Sequence, residues 1–158
     1  MSTKRRRPRP SAEWAAGFID GEGCIHLAKQ RFKRRRCPRT RKWLRRRPTF
    51  RLRLSCTQND YQVLAHLQSV LGPRGRIYAC KRQNTSNRRT YTLNYDGDHA
   101  LAAIKKVRPY LLRKDAEADV AIQYASSGWM GVHPGPKGYP EHVWAAREWA
   151  YRKLQKLK

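Results

Sequence analysis

The sequence predicts an α+β domain: a four-stranded antiparallel sheet covered on one face by helices, with further helices at the C-terminal end. Three observations lead there. Two pairs of segments alternate apolar and polar residues with the period of a half-buried strand. Segments with apolar residues at helical spacing precede, separate and follow those pairs. The 158 residues suit one domain, large enough to bury about two-thirds of its unfolded surface.

The first helix opens at Ser11, a good capping residue, with Glu13 in the first turn where the helix dipole favours an acid, and runs to about Ile19. Residues 24–32 then alternate, Ile25 and Leu27 on one side and Cys24, His26, Ala28 and Gln30 on the other. Residues 31–47 hold eleven Lys and Arg around Pro38 and a lone apolar pair, Trp43-Leu44, and read as a self-repelling loop that a phosphate backbone could order. Alternation returns over 49–57, with Phe50, Leu52, Leu54 and Cys56 facing one way and Thr49, Arg51, Arg53, Ser55 and Thr57 the other. Asp60 caps a second helix, built on Val63, Leu64, Leu67, Val70 and Leu71 and stopped by Gly72. The second alternating pair covers 76–82 and 88–95. Ile77, Ala79, Tyr91, Leu93 and Tyr95 point inward; Tyr78, Cys80, Arg82, Thr90, Thr92 and Asn94 point outward, and polar turn residues 83–87 connect them. Helices follow at 98–107, 114–126 and 140–157, the last carrying Val143, Trp144, Trp149 and Leu154, after a Gly/Pro-rich loop at 128–138. The chain thus divides into a basic arm (1–10), a core (11–126) and a loop with a terminal helix (127–158).

Composition narrows the partner. There are 36 Lys and Arg against 11 Asp and Glu, a net charge of +25. A field of that sign attracts nucleic acid or an anionic membrane surface. No run of about 18 apolar residues could span a bilayer, and the arm is too polar for a signal peptide; it suits phosphates or a nuclear address, with plain disorder as the equal alternative. Cys24, Cys37, Cys56 and Cys80 lack zinc-ribbon or thioredoxin spacing and read as reduced structural thiols. The expected location is the cytoplasm, nucleoid-associated, or an organelle of a eukaryotic host. The outward sheet face has almost no acids and is rich in residue types that read base edges, unlike an ordinary solvated face.

Against this cationic background stands Trp14-Ala15-Ala16-Gly17-Phe18-Ile19-Asp20-Gly21-Glu22-Gly23. Two carboxylates two residues apart, framed by glycines at the end of an apolar helix, suit a hard divalent cation facing a polyanion. Gly17 and Gly21, four apart, share a helix face beside Ala15 and Ala16, and missing side chains let a second helix approach closely.

The segment from Ala15 to Gly23 closely resembles the signature of the LAGLIDADG homing endonucleases. Leu54-Ser55-Cys56-Thr57-Gln58-Asn59-Asp60 is similar to that family's second strand and following helix start. Pro109-Tyr110-Leu111-Leu112-Arg113-Lys114 resembles its segment before a later helix. The resemblance covers roughly residues 11–126, and with one copy of the motif it implies a homodimer of αββαββα subunits with saddle-shaped sheets. Ala16, Gly17 and Gly21 would lie at the dimer interface. By the same resemblance Glu22 is the metal-binding acid, assisted by the Gly21 carbonyl; Asp20 is mainly a structural cap with a lesser metal role. Gln58 would orient water and Lys114 would compensate charge or assist proton transfer. Two or more Mg²⁺ per dimer, shared at the interface, are implied. Gln62 departs from the family, where a basic residue often stands.

Laid on double-stranded DNA, the sheet would read bases through His26, Gln30, Arg51, Arg53, Tyr78, Arg82, Thr90, Thr92 and Asn94, while Arg34, Arg35, Arg36 and Arg45–Arg47 would meet phosphates. The expected activity is a metal-dependent double-strand cut in a long, near-palindromic site. Alternatives are an RNA maturase acting on intron RNA, a non-catalytic DNA-binding protein on the same fold, or a basic ribosomal-type protein; the last gives no reason for the Asp20/Glu22 pair.

Overall fold

The computed structural model describes residues 10–31, 35–36, 38–41, 43–44, 48–80, 89–127, 132 and 138–158, with backbone alone for 35–36 and 43–44. Helix α1 (Ala12–Glu22) starts at Ser11, whose Oγ accepts from the Trp14 N–H at 3.3 Å. It continues one turn beyond the expected Ile19, so Asp20 and Glu22 lie in its last turn. There follow β1 (Gly23–Gln30), the two-residue strands β2 (Arg35–Arg36) and β3 (Trp43–Leu44), β4 (Thr49–Gln58), α2 (Tyr61–Leu71), β5 (Arg76–Ala79), β6 (Tyr91–Asp96), α3 (Gly97–Val107), a 3-10 turn (Arg108–Tyr110), α4 (Asp115–Ser126) and α5 (Glu141–Lys156).

The four long strands form one antiparallel sheet in the order β1-β4-β6-β5. The expected α+β class and the two hairpins are therefore present, joined through β4 and β6. Inside the basic stretch, expected as a plain loop, β2 and β3 pair as a small antiparallel ladder around a turn at 38–40. Two-residue strands carry no periodic signal, so alternation could not reveal them.

Sheet and helices close on one core. Ile25, Leu27, Leu52, Leu54, Cys56, Leu93 and Tyr95 meet Ala15, Ala16 and Ile19 of α1, Leu64 and Leu67 of α2, and Ala103, Ile104 and Val107 of α3. Burial pushes the Cys56 thiol and the Tyr95 phenol up to about 12, so both stay neutral. The Tyr95 hydroxyl donates to the Gly72 carbonyl at 2.5 Å, in the bend after α2 where φ is +127°, a conformation suited to glycine.

One inward assignment changes. Ala79 is exposed, because β5 is a short edge strand whose end the helices leave uncovered. On α5 the buried set is Val143, Arg147, Ala150 and Leu154; Trp149 is exposed, with the Lys153 ammonium 5.0 Å from its ring centre. Helix α5 packs on α4 and β1. Lys29 fastens it, its Nζ donating to both Glu148 oxygens at 2.9 and 3.1 Å while lying against the rings of Phe50 and Tyr151.

Gly23 sets the step from α1 into β1. A Cβ there would lie 2.7 Å from the Ile19 carbonyl oxygen and 2.9 Å from its Cα, backbone atoms that cannot move aside cheaply. Gly23→Ala is expected to destabilise the fold by about 1–3 kcal/mol through overpacking, lowering Tm by roughly 3–10 °C in thermal unfolding followed by circular dichroism.

Candidate functional site

The C-terminal turn of α1 brings both acids of the motif together with Lys114. Asp20 does not face outward. Its Oδ2 accepts from the Leu112 N–H at 2.8 Å and its Oδ1 from the Lys114 N–H at 2.9 Å. The Lys114 ammonium returns the contact, donating to the Asp20 backbone carbonyl at 2.6 Å. That carbonyl belongs to the last turn of α1, where unpaired carbonyl groups concentrate partial negative charge. Burial would raise the Asp20 pKa, but the N–H groups of Leu112, Lys114 and Arg113 and the Lys114 charge outweigh it, holding the carboxyl below its usual range. With both oxygens bonded to backbone N–H groups, Asp20 serves as a clamp.

Glu22, the final residue of α1, is exposed, and its carboxylate makes no hydrogen bond or ion pair among the described residues. It is the one acid of the motif left open. Lys114 is only 8% exposed despite its charge, and its field reaches Cys56 on β4. Gln58 ends β4 two residues beyond Cys56, the strand partner of Gly23, so register brings it to the same end of the sheet as α1's last turn. Its Oε1 accepts from the Asn59 N–H at 3.0 Å, which leaves its side-chain amide N–H groups unused by that bond. Gln62, where a cation was expected from the resemblance, is exposed and uses its own N–H to complete the Asp60 cap at 2.8 Å. Among the described residues no group of three or more His, Cys, Asp and Glu could hold a metal ion.

The face of α1 turned from the core is unusual. Gly17 and Gly21 are exposed, and a Cβ on either would meet nothing within 4 Å. Trp14 (39% exposed) stacks obliquely on Phe18 beside them, and Tyr110 and Leu112 (86% exposed) continue the apolar surface from the clamped segment. Ala16 does not belong to this face. It has no exposed surface and packs in the subunit's own core with Ala15 and Ile19, so its placement at a dimer interface is corrected.

The outward sheet face holds most of the expected base readers. Arg51, Gln30 and Tyr78 are exposed; His26, Arg53, Thr90 and Asn94 are half-buried. Burial and the nearby positive charges of Lys158 and Arg53 depress the His26 pKa and keep its ring neutral. Asn94 donates from Nδ2 to the Tyr78 hydroxyl at 2.7 Å. Thr92 is 8% exposed, with its hydroxyl held by Thr57 at 2.8 Å and Cys80 at 3.0 Å, so it offers little surface on this face. Arg76, exposed and in register with Asn94, lies on this face and was missed, although its parity with Tyr78 is a usable signal. Arg34, Arg82, Arg45–Arg47, the side chains of Arg35 and Arg36, and the N-terminal arm lie outside the described residues.

The clamp has a measurable pH signature. The folded Asp20 pKa lies below the unfolded value of about 3.9, so its contribution is complete above that pH and disappears as pH falls through the folded value. Asp20→Asn places a donor against a backbone N–H. It is expected to cost about 2 kcal/mol at neutral pH, with native and variant stabilities converging in strong acid, as urea titrations across pH would record.

The model of the LAGLIDADG endonuclease family matches residues 15–119. Among solved structures the chain is similar to the homing endonuclease I-CvuI in complex with the I-CreI target in magnesium, its DNA not cleaved, at 21% identity and TM-score 0.63 over 93% of this chain and 81% of that one. It is similar also to I-CvuI in complex with its own target in calcium, at 22% identity and TM-score 0.52 over 92% and 93% of the two chains. No curated protein matches the sequence. The family match spans the open acid of α1, the strand ending at Gln58 and the clamped Lys114, and on that ground the chain belongs to the LAGLIDADG endonuclease family, enzymes that cut DNA.

Proposed function

We propose that two copies of this chain join through the open faces of their α1 helices into a homodimer that makes a metal-dependent double-strand cut in a long, near-palindromic DNA site. The observation that carries the reading is the exposed Glu22 carboxylate at the end of a helix whose neighbouring face is bare backbone at Gly17 and Gly21. Neither glycine is needed by the subunit's own packing, and glycine costs a helix about 1 kcal/mol relative to alanine. A second backbone lying in that space gives the cost a purpose. The adjoining Trp14, Phe18, Tyr110 and Leu112 supply apolar surface for the same contact.

Pairing the helices brings two Glu22 carboxylates and two carbonyl-rich helix ends together, an all-oxygen donor set that suits a hard divalent cation such as Mg²⁺. When bound, divalent cations supply Lewis-acid stabilisation at the scissile phosphates. The chain's own groups do the rest. Gln58 presents amide N–H groups that orient the attacking water. Lys114, fixed by Asp20, sets an ammonium beside the cluster that neutralises charge gathering on the phosphate. The outward sheet face lies in the major groove, with Arg51, Arg53, Arg76, Gln30 and Tyr78 directed at base edges. I-CvuI, which shares the fold, was crystallised on DNA targets with magnesium or calcium, in accord with this assignment.

Two substitutions separate the parts. Glu22→Gln, assayed in Mg²⁺ on a duplex recovered by binding selection, is expected to lose roughly 100-fold or more of its cleavage rate while its affinity stays within a few-fold of native. Equal cleavage by the variant would remove Glu22 from the site. Gly17→Leu meets no atom of its own subunit and is expected to keep or raise Tm, yet to sediment as a monomer and fail to cut both strands.

A further inference from the structure

Asp96 is the only acid in the four strands of the sheet, and it lies on the outward face, where phosphates would repel it. Register sets it in a row with His26 and Arg53 across β1, β4 and β6. The Arg53 Nε donates to Asp96 Oδ1 at 2.7 Å, with side chains 32% and 38% exposed. Asp96 also occupies the N-cap position of α3, yet its side chain makes no capping bond there. Its carboxylate is turned to the arginine instead. A half-exposed ion pair adds little to stability, so folding alone gives weak reason for an acid on this face.

The pair does, however, fix an arginine. With Nε engaged, the two terminal Nη groups are not used by that bond and form a planar fork. That fork matches O6 and N7 of guanine, the commonest specific pairing of the major groove. An arginine already held in place loses less rotamer freedom on binding than a loose one. We propose that Arg53 reads a guanine and that Asp96 is the positioning residue that aims it. The inference rests on the reading of the outward sheet as the DNA-binding face. Arg53 precedes Gln58 by five residues on one strand, at most about 17 Å, so the guanine falls within about five base pairs of the cut.

The test is selection of bound duplexes from a randomised double-stranded DNA library, followed by affinity measurements in which each selected guanine is replaced by adenine. For the native chain one symmetric guanine pair is expected to carry a penalty of roughly tenfold or more on replacement. Arg53→Lys keeps the charge but loses the fork, and is expected to erase that penalty. Asp96→Ala is expected to reduce it, and Asp96→Asn, which retains an acceptor for Nε, to restore most of it, with other positions unaffected. If Asp96→Ala lowers Tm or weakens all duplexes equally while the penalty at that pair persists, Asp96 is structural and the proposal is overturned. A consensus whose guanines are indifferent to Arg53 and Asp96 overturns the proposal but leaves DNA reading by the sheet intact. A pool with no consensus overturns both.

Discussion

The fold's chemistry depends on one contact made across the chain. The Asp20 carboxylate bonds the backbone of Leu112 and Lys114, more than ninety residues away, and Lys114 answers by bonding the carbonyl at the end of α1. This exchange fixes the entry to α4, seats a nearly buried ammonium beside a helix terminus of opposite polarity, and consumes one of the two motif acids. What remains at the surface is Glu22 alone. A motif with two carboxylates therefore divides them by direction, one holding the scaffold and one open at the surface.

The same economy shapes the rest of the surface. In this chain of net charge +25 two further acids meet specific donors. Glu148 receives Lys29 between two aromatic rings, and Asp96 receives Arg53. Burial acts against the Glu148 charge, but the hydrogen bonds from Lys29 and Arg152 prevail and depress its pKa. Helix α5 is thereby anchored on β1, so the terminal segment covers the core from the side opposite the outward face of the sheet.

Local pattern made the strands and helices readable, because alternation in β1 and β4 and the 3.6-residue spacing in α2 and α3 each report one buried face. The motif was readable as chemistry because two acids stand out in a basic chain. Non-local facts were not. The Asp20 clamp and the Arg53–Asp96 pair join residues 94 and 43 apart, and no spacing announces them. The burial of Thr92 depends on hydroxyl and thiol neighbours on adjacent strands. Ala16 is legible by period: Ala15, Ala16 and Ile19 make a helical core stripe that sets Gly17 and Gly21 on the opposite side. Small size groups the alanines with the glycines, whereas helical period separates them.

The central claim is that the catalytic cluster exists only where two α1 termini meet. The most direct measurement is a crystal structure of the chain on a selected duplex in Mn²⁺, with anomalous scattering locating the ions. The account predicts two subunits per duplex and ions between the paired Glu22 side chains on the molecular two-fold. A single subunit on the DNA, or ions held away from Glu22, would contradict it.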